Sequence, residues 1–230
     1  RISVVGEWAE HGFFSDTDKR TVRQAMRKEL ALDPAAFVVA TVGMLRPDKR
    51  QEDLLRVVNV LRQRGIPAHA LVVGMPTGAT AAYGQQLRDL VVELGMGDYV
   101  TFAGHREDVA NVLHTADAIL VPSVNEAWSR VVPEAYASRC PVVASAVGGL
   151  PEIVHPGETG WLAPAGDVVG FADHLAWIWA NPGQAAQIAE QARRYADRHF
   201  MLPQKMAETL GAYQVAMEHA RLARNVEAVV

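Results

Sequence analysis

In the stretch "EAWSRVVPE", Glu126 and Glu134 stand with seven residues between them. An ionised carboxylate only accepts hydrogen bonds, so two of them close together suit a ligand that presents hydroxyls at two places. Pro133 lies between them. A proline ring fits a helix only in its first turn, where no amide hydrogen is needed, so a helix is expected to start at about 128–133. The free N–H groups of that start, Ser129 to Val132, then form an anion site assisted by the positive end of the helix. A phosphate held there would lie between the carboxylates, and a nucleotide-sugar is a ligand of that form. The same residues also fit a plainer role. Glu134 suits the first turn of any helix, and Glu126 suits a solvated loop.

Other candidates follow the same logic. "GMLRPDKRQ" supplies Arg46, Lys49 and Arg50. Pyrophosphate needs cationic partners where no metal is supplied, and Lys or Arg serves; a solvated loop leading into a helix explains the same charges. His105 and Arg106 follow an apolar run, where His105 fits contact with a base or sugar, or an ordinary polar loop. Gly148–Gly149 fits either a close approach of backbone to a ligand or a simple turn. Trp128 fits either stacking on a ligand or plugging the base of the helix.

These residues need a scaffold. Short β-branched runs end on glycine or serine at Phe37–Gly43, His69–Gly74, Tyr99–Gly104, Ala118–Ser123 and Pro141–Ser145, with a weaker run at Thr159–Pro164. Helical patterns fill Gln51–Gly65, Ala81–Gly95, Arg106–Ala116 and Pro133–Arg139. The opening "RISVVGEW" also reads as a strand. From Val168 to about Arg224 the pattern is mostly helical, broken at "NPG" and "MLP". Alternation with short connections predicts an α/β protein: a doubly wound parallel sheet with helices on both faces and a C-terminal helical extension. Strands that are apolar almost throughout fit burial on both sides. Residues 1–230 read as one domain, with the sheet core over about 1–165 and mostly helices over 166–230. Ligands of such sheets bind beyond the carboxyl ends of the strands, at a topological switch point. The loops at Gly43–Lys49, Gly74–Gly78, Gly104–Arg106, Ser123–Arg130 and Ala146–Leu150 are therefore the candidate site.

Composition narrows the chemistry. Half of the residues are hydrophobic and the net charge is −4, which suits a globular core and offers no basic surface for nucleic acid. The single cysteine, Cys140, cannot form an internal disulfide, so a reducing, cytoplasmic setting is expected. No apolar run is long enough to span a bilayer, and no signal-peptide pattern is present. The histidines His11, His69, His105, His114 and His155 are scattered without metal-ligand spacing, so no metal is expected. No phosphate-loop signature, dinucleotide fingerprint or nucleophile elbow occurs, which disfavours a nicotinamide cofactor.

Several ordered motifs together resemble one family. "EAWSRVVPEAYA" is similar to the E-x(7)-E signature of the retaining GT-B glycosyltransferases of family 4, the glycosyl transferases group 1. "PVVASAVGGLPE", "GETGWLAPAGD" and, upstream, "VGMLRPDK" follow that family's order. The resemblance covers essentially the whole chain. It implies a Rossmann-like domain, the C-terminal, donor-binding half of a GT-B fold. The N-terminal acceptor domain is then expected to be absent from this chain, together with any peripheral membrane contact that domain makes. It implies transfer of a glycosyl group from a nucleotide-sugar, UDP- or GDP-linked, with retention of configuration and no metal or cofactor. By resemblance, Glu134 binds the ribose hydroxyls and Glu126 contacts the donor sugar near the reacting carbon. Lys49, with a second cation, neutralises the leaving diphosphate. Amides around Trp128–Val131 hold the distal phosphate, and Gly104–Arg106 meets the base through its backbone. Catalytic roles fall to Glu126 and Lys49. The substrate-binding set is Gly43, Arg46, Lys49, Gly74, His105, Arg106, Glu126, Ala127, Trp128, Ser129, Arg130, Val131 and Glu134. The sequence departs from the family in three places. Met44 stands where Arg is usual, so Arg46 is the candidate replacement. Ala127, Trp128 and Ser129 replace Gly-Phe-Gly. Arg130 adds a charge that would favour a particular donor. The competing readings are a nucleotide-sugar epimerase on the same fold and a non-catalytic nucleotide-sugar-binding module.

Overall fold

The computed structural model describes residues 9, 11–14 and 18–227. Its centre is a six-stranded, all-parallel sheet of order β3-β2-β1-β4-β5-β6. The strands are β1 (Phe37–Val42), β2 (Ala68–Val73), β3 (Val100–Gly104), β4 (Ala118–Val121), β5 (Val142–Ser145) and β6 (Trp161–Ala163). Each inner strand sends alternate side chains to opposite faces. Val38, Ala40, Ile119 and Val142 enter one core cluster. Phe37, Val39, Leu120 and Val143 enter the other. Both clusters are needed because parallel strands are buried on both faces. Each Val, Leu or Ile moved fully from water contributes about 1.5–3 kcal/mol.

Helices cover both faces. Val132, Ala135 and Tyr136 of α5 (Val131–Ala137) and Ala192 and Ala196 of α8 (Pro182–His199) pack on the first cluster. So do Val112 and Leu113 of α4 (Val109–Thr115), against which α1 (Lys19–Glu29) lies. The second cluster is closed by Leu54, Leu55, Val57, Val58 and Leu61 of α2 (Gln51–Gln63), and by Leu87 and Val91 of α3 (Ala81–Glu93). Phe171 and Leu175 of α7 (Val168–Ala180) complete it. The short α6 (Leu150–Ile153) follows β5, and α9 (Leu202–Glu227) ends the described chain.

The alternation read from sequence is this fold, and both expected helix breaks appear, between α7 and α8 and between α8 and α9. Four local readings are corrected. Gly43 lies just past β1 rather than in it, because its φ of 149° turns the chain out of the sheet. The helix expected from Arg106 begins at Val109, since Asp108 has non-helical angles and grips the Arg106 guanidinium. The loop expected through Leu150 gives way to α6. Sequence reading assigned nothing over Lys19–Glu29, where Asp18 caps α1 by accepting from the Arg20 amide at 3.1 Å. The strand expected over the opening "RISVVGEW" lies outside the described residues.

The order places β1 between β2 and β4, so the connections leave β1 and β4 in opposite directions. A crevice opens between the carboxyl ends of these two strands, and the candidate loops border it.

Candidate functional site

Two loops build the crevice. The first leaves β1 at Gly43 and makes a single 3₁₀ turn at Pro47–Lys49 before α2. Gln51, fully buried at the start of α2, ties this loop down. Its side chain donates to the Met44 carbonyl at 3.0 Å and accepts from the Arg46 amide at 3.4 Å. The second loop leaves β4 at Pro122 and runs to α5. A single backbone bond, from the Val124 amide to the Asp48 carbonyl at 2.9 Å, joins the two. That join sets Lys49 opposite Glu126. The Lys49 ammonium donates to Glu126 Oε2 at 2.6 Å, and the Ser123 hydroxyl donates to the same oxygen at 3.2 Å. Glu126 is only 9 % exposed. Burial of that kind demands a partner for a charge, and Lys49 supplies it.

The glycine pair explains how the acidic loop is held. A Cβ on Gly148 would stand 1.9 Å from the Glu126 carbonyl oxygen, and one on Gly149 would stand 2.4 Å from that of Ala127. Gly148 also has φ of +52°, and the Gly149 amide donates to the Glu126 carbonyl at 3.0 Å. The close approach seen here is to the chain's own backbone: the turn between β5 and α6 carries a glycine platform on which the Glu126 loop rests. Gly148→Ala should destabilise the fold by about 1–3 kcal/mol, the usual cost of a strained backbone. Chemical denaturation of the two proteins measures it, and an unchanged midpoint would show that the loop yields freely.

Pro133 is the third residue of α5, as its chemistry requires. The helix starts at Val131, and the Glu134 amide makes the first bond back, to the Arg130 carbonyl at 3.3 Å. Val131 and Val132 thus carry first-turn amides that have no acceptor within the helix. Helix α5 has only seven residues, so those local amides matter more than any macrodipole. The Glu134 carboxylate, with 12 % side-chain exposure, has the Arg130 guanidinium 3.9 Å away.

The crevice encloses about 390 Å³. Gly43, Lys49, Glu126, Trp128, Ser129, Arg130, Val131 and Glu134 all line it. A second cavity of about 410 Å³ shares Val42 and Gly43 with it and continues past the ends of β2 and β3. There Gly74, His105 and Arg106 meet Met44 and Met75. Gly74 is obligatory at the junction, because a Cβ would stand 1.8 Å from the Gly43 carbonyl oxygen. The Arg106 guanidinium is already engaged by Asp108 and Glu29, and those bonds raise its pKa above the ordinary arginine value.

Two sequence candidates are not brought in. Ala127 lines neither cavity, and Arg46 points away, with its guanidinium in a two-pronged pair with Asp48 at 2.9 and 3.0 Å. Arg50 is likewise committed elsewhere, to the fully buried Asp53. Of the three cations in that loop, Lys49 alone lines the crevice. Met44, in the position usual for Arg, faces the second cavity instead. Trp128 packs its ring against Gly149 and the core beside the start of α5, and it also borders the crevice. His69 and His114 are structural, since burial pushes both pKa values down to about 4. Among the described residues no three His, Cys, Asp or Glu side chains converge so as to hold a metal ion. Thr41 and Gln51 line the crevice from outside the candidate loops, and Ser123 opens one of those loops but was assigned no contact of its own. The signal for Ser123 was its place as the last residue of an apolar run at a strand end.

Residues 22–195 match the sequence pattern of the family described as Glycosyl transferases group 1. The chain belongs to that family. It is 36% identical over 201 residues to the D-inositol 3-phosphate glycosyltransferase of Rhodococcus erythropolis, covering 86% of this chain and 45% of that protein. The chain thus spans about half the length of the curated relatives it matches. Among solved structures, Anabaena Alr3699/HepE in complex with UDP-glucose superposes with a TM-score of 0.83 at 26% identity, covering 91% of this chain and 57% of that one. The sucrose-phosphate synthase of Thermosynechococcus elongatus gives 0.81 at 26% identity, covering 94% and 53%. The C-terminal domain of the group 1 protein LpcC from Francisella tularensis shares the fold, with a TM-score of 0.71 at 19% identity over 83% of this chain and 96% of that one. This glycosyltransferase domain is Rossmann-like and forms one half of a GT-B fold.

Proposed function

We propose that this domain binds the donor of a retaining glycosyltransferase, a nucleotide-sugar linked to UDP or GDP. The observation that carries the reading is the geometry of the switch-point crevice. A buried carboxylate at Glu126 is paired at 2.6 Å with Lys49, and a second carboxylate at Glu134 lines the same space. In this reading the ribose lies on Glu134 and the base continues into the second cavity, past Gly43 and Gly74. The diphosphate lies over Lys49 and the first amides of α5. The sugar lies toward Glu126. As the sugar–phosphate bond breaks, charge grows on the diphosphate, and a prepositioned ammonium with nearby amides stabilises it where little water competes. Lys49 then takes the part a divalent metal would otherwise play. Anabaena Alr3699/HepE, with UDP and UDP-glucose bound, supports a ligand of this class.

The acceptor, and a further domain that carries it, belong to the same proposal, as does a cytoplasmic setting. Among the described residues no helix is long and apolar enough to cross a membrane. Half of a two-domain cleft cannot position an acceptor or exclude water, so this chain alone should bind donor and transfer nothing. Calorimetric titration with UDP, GDP and ADP in excess chelator should give binding to one of the three. Loss of that binding with chelator would remove the metal-free reading. A transfer assay on the same sample should stay silent. Efficient transfer would put the acceptor site within this chain, and the product's anomer would report retention or inversion.

A further inference from the structure

We infer that Ser123 is a positioning residue for Glu126, one that decides which carboxylate oxygen meets the donor sugar; this rests on the donor-binding reading above. The anchor for this arrangement lies in the core. Ser145, the last residue of β5, is fully buried, and its hydroxyl donates to the Ser123 carbonyl oxygen, with the Val121 carbonyl 3.3 Å away. A serine at a strand end thus ties down the first turn of the neighbouring loop. Ser123 is 1 % exposed, and its own hydroxyl turns toward Glu126 Oε2 at 3.2 Å. Lys49 donates to that same oxygen at 2.6 Å.

Both donors fall on one oxygen. A carboxylate gripped in this way at Oε2 cannot spin about its last bond without losing two charge-assisted hydrogen bonds. Oε1 is left as the acceptor for a ligand hydroxyl. Lys49 alone would not secure this orientation, because a flexible ammonium follows whichever oxygen it finds. Ser123 can, because its backbone is anchored by Ser145 and its side chain is short. Ser145 ends β5 and Ser123 lies two residues past the end of the adjacent parallel strand β4, so the edge of the sheet aims the carboxylate. Burial of the hydroxyls also makes this an interior device rather than a solvated contact.

The test compares nucleotide-sugar with bare nucleoside diphosphate on the 230-residue chain. The probe pairs are UDP with UDP-glucose, UDP with UDP-N-acetylglucosamine, and GDP with GDP-mannose. For the pair that binds, Ser123→Ala should weaken the nucleotide-sugar by about 10-fold, the effect of one hydrogen bond to a charged group, and the bare diphosphate by less than about 2-fold. In a Glu126→Gln background the same substitution should have no further effect on the nucleotide-sugar, since the group it orients is already altered. Equal losses on both ligands, or an additive loss in the Gln background, would mean that Ser123 merely supports the fold, and the proposal falls. So does an unchanged nucleotide-sugar affinity. Thermal unfolding of each variant establishes that the comparison is between folded proteins. If the unsubstituted chain binds none of the pairs, the donor-binding reading itself falls, and this inference with it.

Discussion

Lys49→Ala should lower nucleoside diphosphate affinity by about 2–3 kcal/mol, the range for a hydrogen bond between charged groups. It should lower nucleoside monophosphate affinity much less, because the proposed donor pose sets the ammonium against the distal phosphate. The same substitution strips Glu126 of its ion pair and leaves a carboxylate of 9 % exposure with the Ser123 hydroxyl. A stability loss of about 1–3 kcal/mol should follow from that unmatched group. The two effects separate in the Lys49→Ala, Glu126→Gln double variant. A neutral amide no longer needs the ammonium, so stability should largely return while diphosphate affinity stays low. Arg46→Ala is the internal control. Its guanidinium is held by Asp48 outside the crevice, so it should leave both ligands unchanged. Calorimetry with the mono- and diphosphate of one nucleoside decides the matter. Equal losses on both ligands for Lys49→Ala, or a matching loss for Arg46→Ala, would move the diphosphate elsewhere.

Glu134→Ala should cost about 1.5–3 kcal/mol of nucleotide affinity, because the ribose hydroxyls lose a charged acceptor. Its signature differs from that of Lys49. The loss should be similar for nucleoside mono- and diphosphate, since the contact does not involve phosphate. It should also shrink sharply when the 2′- or 3′-hydroxyl of the ligand is missing. A double cycle between Glu134→Ala and the deoxynucleotides therefore measures the contact itself. Arg130, 3.9 Å from Glu134, complicates a charge change, so Glu134→Gln serves as the second variant. It keeps an acceptor and should lose less than alanine. Additive losses from the deoxy ligand and the substitution would take Glu134 out of the ribose site.

What the sequence determined by itself was local and periodic. β-Branched runs closed by glycine located the inner strands, with β1 at Phe37–Val42 and β2 at Ala68–Val73. Pro133 located the start of α5, and Asn181–Pro182 the break between α7 and α8, because a missing amide hydrogen acts on its own turn wherever the chain goes. The order of these elements, with the spacing of Glu126 and Glu134, sufficed for the fold and the family. Tertiary structure decided which side chains reach the crevice. Arg46, Lys49 and Arg50 are indistinguishable as a run of cations. They part company because Asp48 and Asp53 capture the outer two, while Lys49 meets an acid 77 residues away. Ser123 matters only because Ser145 of the next strand pins it, and Gly148 only because the Glu126 carbonyl occupies the space of its missing Cβ. Met44 could not be placed from sequence, since a side chain two residues past a strand end can turn to either side of the switch point. Propensity and turn chemistry are properties of neighbours in sequence. Charge pairing, close approach and the aim of a carboxylate are properties of neighbours in space, and only the folded sheet makes those neighbours.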